Sequence, residues 1–321
     1  LKSVVGSGTA TVDLDDISQC DFLFLIGCNP SSNHPRLLKS IIDLRRRGGK
    51  VVVINPLREE GLCKFKVPSD VRSLLFGSII SDYYVKPNIG GDAVLMLGII
   101  KWLLEHDGIN SEFVEHHADG FEEVATQARE TSWEWIIKHS GVRLEDIENV
   151  SELYLNSKST IFCWAMGITH VKGGVDSVRM IANVAIARGM VGKLGAGLLP
   201  LRGHSNVQGM GTIGVVPKLT PAMEDAIEKF FSITLPTNPS NFRGGDTMAC
   251  MEASFDGLID YAMCLGGNLL SSNPNTQFAM QAMSKIKLIS YMSTALNQGH
   301  FLGRGIETII FPVHVRDEET Q

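Results

Sequence analysis

The sequence lacks both a long hydrophobic run and an excess of positive charge. A membrane-spanning helix needs roughly 18 consecutive apolar residues, whereas residues 22–26 are too few and residues 93–104 are interrupted by Gly98 and Lys101. Lys and Arg number 29 against 35 Asp and Glu, which gives a net charge of −6. Because no apolar run is long enough, we predict no membrane span. Because nucleic-acid binding normally needs a basic surface, we also predict no nucleic-acid partner.

Closely spaced cysteines are also missing. The six cysteines stand singly, and no pair has the C-x-x-C spacing that is typical of zinc or iron–sulfur sites. A disulfide framework is not expected in a chain of 321 residues. Most cysteines stand inside apolar stretches, which is typical of small core residues. A reducing compartment fits this pattern best, and we predict a cytoplasmic protein.

What is present is the composition of an ordinary globular protein, with 44% apolar and 20% charged residues. The clearest unit begins with a continuous apolar run at residues 21–27, which predicts a strand buried on both faces. A helix with a one-sided apolar pattern is predicted over 34–47, and a second buried strand over 50–55. This order predicts a right-handed βαβ unit with parallel strands.

The same alternation of strands and helices continues along the chain. A strong helical pattern covers residues 93–105, and Asp92 stands where it would cap that helix. Residues 189–214 include eight glycines and predict a long functional loop. The other predicted elements are helices within 111–158 broken at Gly120 and Gly141, helices at 175–188, 221–231 and 276–283, and strands at 159–164, 260–265, 285–291 and 308–311. The chain is therefore predicted to be an α/β protein.

A weak internal repeat relates the two halves of the chain. With a shift of 239 residues, five identities fall within fifteen positions: Asp21 with Asp260, Gly27 with Gly266, Asn29 with Asn268, Ser32 with Ser271, and Pro35 with Pro274. Two related nucleotide folds would produce this pattern. Chance convergence of two buried strands, each followed by turn residues, would produce it equally well.

Four loops are predicted to leave the carboxyl ends of parallel strands, where ligands bind in such sheets. They comprise residues 27–33, 55–58, 164–170 and 266–273. None of these four loops contains G-x-G-x-x-G or G-x-x-x-x-G-K-[ST], so the usual dinucleotide fingerprint and the P-loop are both missing from these strand ends. This argues against a simple NAD or ATP enzyme.

Residues in the first of these loops, and near the second, allow a functional and a structural interpretation. Gly27 lets a ligand approach the backbone, Asn29 can donate and accept, and Ser32 offers a hydroxyl to a phosphate. The alternative is a turn that caps the next helix. Asn55 and Asp92 stand where a side chain can select a ribose or a base, and a carboxylate suits the donor edge of guanine. As a helix cap alone, Asp92 would need no ligand.

Arg202 is the cation of most interest, because it stands between Pro200 and Gly203 in the glycine-rich stretch. A guanidinium there could hold an anion bidentately, and an ordinary surface arginine is the alternative. His170 and His204 are isolated in loops, so we predict no metal site built from protein side chains. The spacing of the residues leaves the reaction open.

Four motifs occur in order: residues 27–35 (GCNPSSNHP), 49–56 (GKVVVINP), 164–170 (WAMGITH) and 192–209 (GKLGAGLLPLRGHSNVQG). Together they resemble the formate-dehydrogenase-like branch of the molybdopterin oxidoreductases, over residues 1–312. The resemblance implies two related doubly wound, Rossmann-like nucleotide-fold domains with mostly parallel sheets, as in formate dehydrogenase and DMSO reductase. The first would span residues 1–203, and residues 204–321 would form an incomplete second domain.

The resemblance also implies the cofactors, which are molybdenum or tungsten held by two molybdopterin guanine dinucleotides. Gly27, Asn29 and Ser32 match the first nucleotide-binding loop of the family. Asn55 matches the ribose-side strand end, and Asp92 the position that reads guanine. Asn55 replaces the more usual Asp, as Leu57 replaces the usual Arg, and both departures weaken the implied ribose and phosphate contacts.

The remaining matched positions belong to the pterin and the substrate. Met166, Gly167 and His170 match the loop near a pterin. Arg202 matches the arginine thought to orient formate, and His204 stands where the formate enzymes usually have Gln. The family's metal-ligating Cys or selenocysteine would precede the chain, as would the cysteines of a 4Fe-4S cluster, and a cofactor-closing domain would follow it. A central fragment, inactive by itself, is therefore expected.

The implied reaction is two-electron oxidation of a small substrate, with formate to CO2 as the best single interpretation. An electron-acceptor protein or subunit would then be the partner. Two alternatives belong to other classes. One is a non-catalytic scaffold of the same fold in an electron-transfer complex, and the other is a different nucleotide-binding α/β enzyme, such as one that uses thiamine diphosphate.

Overall fold

A computed structural model describes residues 1–204, 206–215, 219–235 and 245–315 of the chain. The chain divides into two compact units, Leu1–Gln208 and Gly209–Gln321. The domain boundary expected from the resemblance lies after Gly203. The boundary between the compact units lies after Gln208, while the assignment of the two domains and of their roles stays a prediction.

The first unit is built on a sheet of five parallel strands. The strands in chain order are β1 (Phe22–Ile26), β2 (Lys50–Ile54), β3 (Lys64–Phe65), β4 (Ser78–Ile79), β5 (Tyr83–Val85), β6 (Thr160–Trp164) and β7 (Gly197–Pro200). The sheet has the order β5-β2-β1-β6-β7, while β3 and β4 form a separate antiparallel pair. Phe22 of β1 pairs in register with Lys50 on one side and Thr160 on the other. The predicted parallel arrangement is confirmed.

Helices cover both faces of this sheet. The helices are α1 (Lys2–Val5), α2 (Pro30–Asn33), α3 (Pro35–Arg46), α4 (Glu60–Cys63), α5 (Val71–Phe76), α6 (Asp92–Glu105), α7 (Ser111–His117), α8 (Phe121–Glu130), α9 (Trp133–Ser140), α10 (Leu144–Leu155), α11 (Met166–Thr169) and α12 (Gly174–Ala187), with a 3₁₀ turn at Asp15–Ser18. Phe22 and Phe24 pack into one core with α6, α10 and α12, whereas Leu23 and Leu25 pack into another with α3. All five residues of β1 are buried, as a doubly covered strand requires.

Two details of the first unit differ from the sequence predictions. The prediction that Asp92 caps helix α6 is wrong: Gly91 occupies the N-cap, and Asp92 is the first helical residue. The predicted loop at 189–214 contains β7, a strand of only four residues. Its backbone pairs with β6 from Ile161 onward, a long-range contact that local periodicity does not report.

The second unit contains a sheet of three parallel strands in the order β10-β9-β8. These strands are β8 (Tyr261–Leu265), β9 (Leu288–Ser293) and β10 (Glu307–Pro312). The helices are α13 (Val207–Thr212), α14 (Pro221–Phe231), α15 (Thr247–Phe255), α16 (Thr276–Met283) and α17 (Gln298–Leu302), of which α13 includes the boundary between the units. Helices α14 and α16 have the predicted bounds, whereas α15 and α17 were not expected. On β8, Cys264 is buried while Tyr261, Met263 and Leu265 are exposed.

The internal repeat extends to backbone conformation. Gly27 follows β1 with φ +54°, and Gly266 follows β8 with φ +64°. Both strands belong to parallel sheets, and both glycines adopt the left-handed region that other residues avoid. A shared conformation at matched positions favours related nucleotide folds over chance convergence.

Among the described residues, no helix is both long and apolar enough to cross a membrane. All six cysteines are free. Cys20, Cys28, Cys163 and Cys264 are buried, and burial raises the pKa of the Cys28 thiol to about 12. These four are therefore inert core residues, as the sequence predicted for most of the set.

Candidate functional site

The order of the first sheet creates a crevice beside β1. The chain crosses from β1 to β2 on one side, and β6 pairs with the other side of β1. The loops that follow β1 and β6 therefore run in opposite directions from adjacent strand ends. In open parallel sheets, this switch point is where ligands bind.

Two glycines allow the loops after β1 and β6 to approach closely at this point. The backbone N–H of Gly167 donates to the carbonyl oxygen of Gly27 at 3.1 Å. A Cβ at position 167 would lie 2.5 Å from that oxygen, and a Cβ at position 27 would lie 2.9 Å from the backbone nitrogen of Ile168. Both distances are far below van der Waals contact, so only glycine fits at either position.

A cleft of about 240 Å³ lies at this junction. It is lined by five of the predicted site residues: Gly27, Asn29, Asn55, Asp92 and Gly167. Their positions lie up to 140 residues apart in the sequence. The volume is below the range of about 300–1,000 Å³ for whole ligand pockets, so the cleft suits one end of a larger molecule.

Asp92 is the charged group that dominates the cleft. It is only 6% exposed and opens the 14-residue helix α6. Burial raises the pKa of this carboxyl from 3.8 to about 6, and its own backbone N–H lowers the pKa by less. Among the described residues, no cation or other side chain pairs with it. The cleft therefore presents a buried carboxyl that no described side chain pairs with.

The two asparagines of the cleft are held by neighbouring protein groups. Ser31 donates its hydroxyl to the side-chain oxygen of Asn29. The Oδ1 atom of Asn55 accepts from the backbone N–H of Leu57 at 3.2 Å, and its Nδ2 lies 3.5 Å from the carbonyl oxygen of Cys28. Asn55 thus joins the ends of β1 and β2. The ribose contact implied for it stays a prediction.

Sequence reasoning missed several groups of the cleft. The polar side chains of Asn33 and Glu59 line it, as do Ile89 and Gly90. Gly90 has φ +83° and open space around its Cβ position. Asn33 stands inside the motif at 27–35, which could have singled it out, whereas Glu59 comes close only through the fold.

The other predicted cofactor residues lie outside this cleft. Ser32 is exposed on the short helix α2. Met166, which is 50% exposed, begins α11, and the exposed His170 ends it. Both flank Gly167 and face solvent, so they can meet a molecule that extends out of the cleft.

Arg202 and His204 follow β7 and are exposed. The Nη2 atom of Arg202 donates to the carbonyl oxygen of Gly8 at 2.8 Å, and no carboxylate of the described residues pairs with the guanidinium. An imidazole nitrogen of His34, Nε2, lies 2.6 Å from the carbonyl oxygen of Arg202. Within the described ranges, no three His, Cys, Asp or Glu side chains group in a way that could hold a metal ion.

Comparison with known proteins gives a consistent result. The family model described as molybdopterin oxidoreductase matches residues 3–289. An uncharacterized oxidoreductase of Mycobacterium tuberculosis is 33% identical over all of this chain and 42% of its own length. Protein YdeP of Escherichia coli is 34% identical over 99% of this chain and 43% of its own length.

Two further proteins extend the comparison. A formate dehydrogenase alpha subunit from Methanocaldococcus jannaschii is 27% identical over 90% of this chain and 41% of its own length. The solved structure of acetylene hydratase from Pelobacter acetylenicus superimposes with a TM-score of 0.64 over 91% of this chain and 40% of that chain, at 17% identity, which shows a shared fold. The chain thus spans about two fifths of the length of these relatives. It belongs to the molybdopterin oxidoreductase family.

Proposed function

We propose that the full-length protein carrying this chain is a molybdenum- or tungsten-dependent oxidoreductase that oxidises a small carboxylate, with formate as the first candidate. The cofactor would be the bis-molybdopterin guanine dinucleotide form, and this chain would hold one nucleotide end in the cleft beside β1. The family membership and the similarity to a formate dehydrogenase alpha subunit support this assignment. The buried carboxyl of Asp92, which no described side chain pairs with, carries it.

The residues of the cleft fit a guanine nucleotide. Guanine presents two neighbouring donors, N1–H and the exocyclic amine, and an ionised carboxylate accepts both. Asp92 is buried in the cleft wall without a competing cation. The open backbone at Gly90 leaves room beside that carboxyl. A buried carboxyl with a raised pKa costs stability, which is a common sign of a functional position.

The pterin end would leave the cleft past Gly167, where Met166 and His170 are exposed. Gly27 and Asn29 would contact the cofactor from the loop after β1, and Ser32 would meet a phosphate further out. When bound, the molybdenum centre supplies two-electron redox chemistry. The side chains of this chain would position the cofactor and tune the charge around it.

Arg202 would bind the substrate. Formate becomes CO2 by giving up two electrons and a proton, so its carboxylate has to be held while the C–H bond is oriented. A guanidinium offers paired N–H donors that match a carboxylate, and one Arg202 nitrogen is already fixed by Gly8. His204, at the position where formate enzymes usually have Gln, would contact the same substrate. An electron-acceptor protein or subunit would complete the cycle.

The decisive experiment measures molybdenum, tungsten and released guanine nucleotide in the full-length protein purified from its native host. About one metal and two GMP per chain after acid hydrolysis are expected, together with iron if the 4Fe-4S cluster is present. Formate is then offered with an artificial electron acceptor. A folded protein with neither metal nor pterin would overturn the proposal and favour the scaffold. A metal-loaded protein inert to formate would overturn only the choice of substrate.

A further inference from the structure

His34 stands at the start of helix α3, but its side chain does not cap that helix. It occupies the N-cap position of a 12-residue helix, yet its side chain makes no capping hydrogen bond. Ser, Thr, Asp and Asn are the residues that stabilise this position, because their short side chains accept from the free N–H groups of the first turn. The stability of α3 therefore does not explain a histidine here.

The imidazole is directed instead toward the loop after β7. Its Nε2 lies 2.6 Å from the carbonyl oxygen of Arg202, which is 168 residues away in the sequence. Because a carbonyl oxygen can only accept, Nε2 carries the hydrogen and donates. This bond joins the loop after β1, which holds Asn29 of the cleft, to the segment with the substrate-binding arginine.

The other ring nitrogen of His34, Nδ1, indicates that this position of the ring is energetically unfavourable. Nδ1 of His34 is buried, and no described residue is within hydrogen-bond distance of it. A buried polar atom without a partner is unfavourable, and such atoms are few in native proteins. The ring is thus held in a costly position that does not cap its own helix. The single favourable polar contact it makes is the one with Arg202.

We infer that His34 is a positioning residue for Arg202, an inference that rests on the proposed function. Arg202 is anchored at two points: its carbonyl oxygen by His34 and its guanidinium by the carbonyl oxygen of Gly8. The two bonds hold the backbone and the side-chain end of the residue. Without the first, the peptide between Arg202 and Gly203 loses the hydrogen bond at its carbonyl oxygen. Displacement of a substrate-holding group by about 1 Å can cost 10²-fold in rate.

The test compares two variants of the full-length protein. His34→Gln places an amide near the original Nε2 and can keep the donor, whereas His34→Asn reaches only the Nδ1 position and is a good helix cap. For His34→Asn we expect kcat/KM for formate to fall at least tenfold, mainly through a higher KM. Its thermal stability should be equal to or higher than that of the wild type. His34→Gln should recover most of the activity.

A readout that does not depend on turnover is hydrogen exchange at the Gly203 amide, which shares a peptide plane with the Arg202 carbonyl. Faster exchange in His34→Asn, with recovery in His34→Gln, supports the anchor. Unchanged exchange overturns it. A purely structural role would lower the melting temperature of both variants and leave KM unaltered, and that result also overturns the inference.

Arg202→Lys and the double variant separate this inference from the proposed function. If Arg202→Lys lowers kcat/KM, the loss in His34→Asn should be much smaller in the Arg202→Lys background, because both changes act on one group. Additive losses overturn the inference and leave the proposed function standing. If Arg202→Lys has no effect on formate oxidation, the substrate role of Arg202 fails, and the exchange measurement still decides whether His34 anchors the loop.

Discussion

Gly167 and Gly27 lie at the ends of adjacent parallel strands and are joined by a backbone hydrogen bond of 3.1 Å. The absence of side chains at both positions lets the loops after β1 and β6 meet. Asp92 reaches the same cleft from the start of α6. This meeting of three segments creates a cleft that suits one end of a larger ligand, at the point where the strand order changes direction.

Gly167→Ala should separate these loops. Its Cβ would lie 2.5 Å from the carbonyl oxygen of Gly27, a backbone atom that cannot turn away. Such overpacking typically costs about 1–3 kcal/mol, and the cleft should bind nucleotide more weakly. Chemical denaturation of the full-length protein measures the first effect. Gly211→Ala is the control, because its Cβ would meet nothing within 4 Å. Equal stability of both variants would contradict the close approach.

Asp92→Asn should stabilise the protein at neutral pH. The folded-state pKa of Asp92 is raised from 3.8 to about 6, so between these values the native state binds more protons than the unfolded state. Stability contributed by this group therefore falls as pH rises from about 4 to 6, by up to about 3 kcal/mol. The amide that replaces the Asp92 carboxyl in the variant stays neutral at every pH, so the variant does not lose this stability. The gain in unfolding free energy should be near zero at pH 4 and largest above pH 7; a gain independent of pH would contradict this.

The same variant should lose recognition of guanine. An amide cannot accept both guanine donors, so the apparent affinity for GMP should fall by tenfold or more. The thermal stabilisation of the cofactor-free protein by GMP measures that affinity. For the wild type, GMP should bind more tightly as pH rises through about 6, because the carboxylate is the acceptor. IMP, which lacks the exocyclic amine, is the matched ligand and should bind weakly to both proteins. Equal binding of GMP and IMP would show that Asp92 does not read the base.

Much of the first unit could be predicted because its signals are local. The apolar run of β1 is continuous, and the structure buries all five residues. Helix α3 shows its apolar periodicity in the sequence and begins at Pro35. The loops after β1 and β6 could be assigned as ligand-facing because parallel sheets place function at those strand ends. Five of the predicted residues do line one cleft.

The rest depends on contacts that sequence patterns do not carry. An acidic residue before an apolar helix suggests a cap, but whether it is the N-cap or the first helical residue is decided by the Gly91 backbone. The strand Gly197–Pro200 is too short for periodicity. The bond between His34 and Arg202 joins positions 168 residues apart. Nothing near His34 in the sequence indicates it.

Arg202→Lys should lower formate oxidation with the fold intact. Lysine keeps the charge but loses the planar pair of donors that grips a carboxylate, so kcat/KM should fall by roughly 10²-fold or more. Steady-state kinetics of the metal-loaded, full-length enzyme measure the loss. Arg72→Lys, on the exposed helix α5, is the control and should leave the rate unchanged. Equal rates for the wild type, Arg202→Lys and Arg72→Lys would show that Arg202 does not bind the substrate.

Lys101→Met should destabilise the first unit through helix α8. Lys101 is a buried cation on α6 whose Nζ donates to the carbonyl oxygens of Ala128 and Arg129 at 3.2 and 3.1 Å, in the last turn of α8. Methionine keeps the length but leaves those oxygens without their charged donor, at a cost of about 1–3 kcal/mol. Lys39→Met removes an exposed pair with Asp43 and should cost less than about 0.5 kcal/mol. Urea denaturation distinguishes the two, and an equal effect would mean that Lys101 does not secure α8.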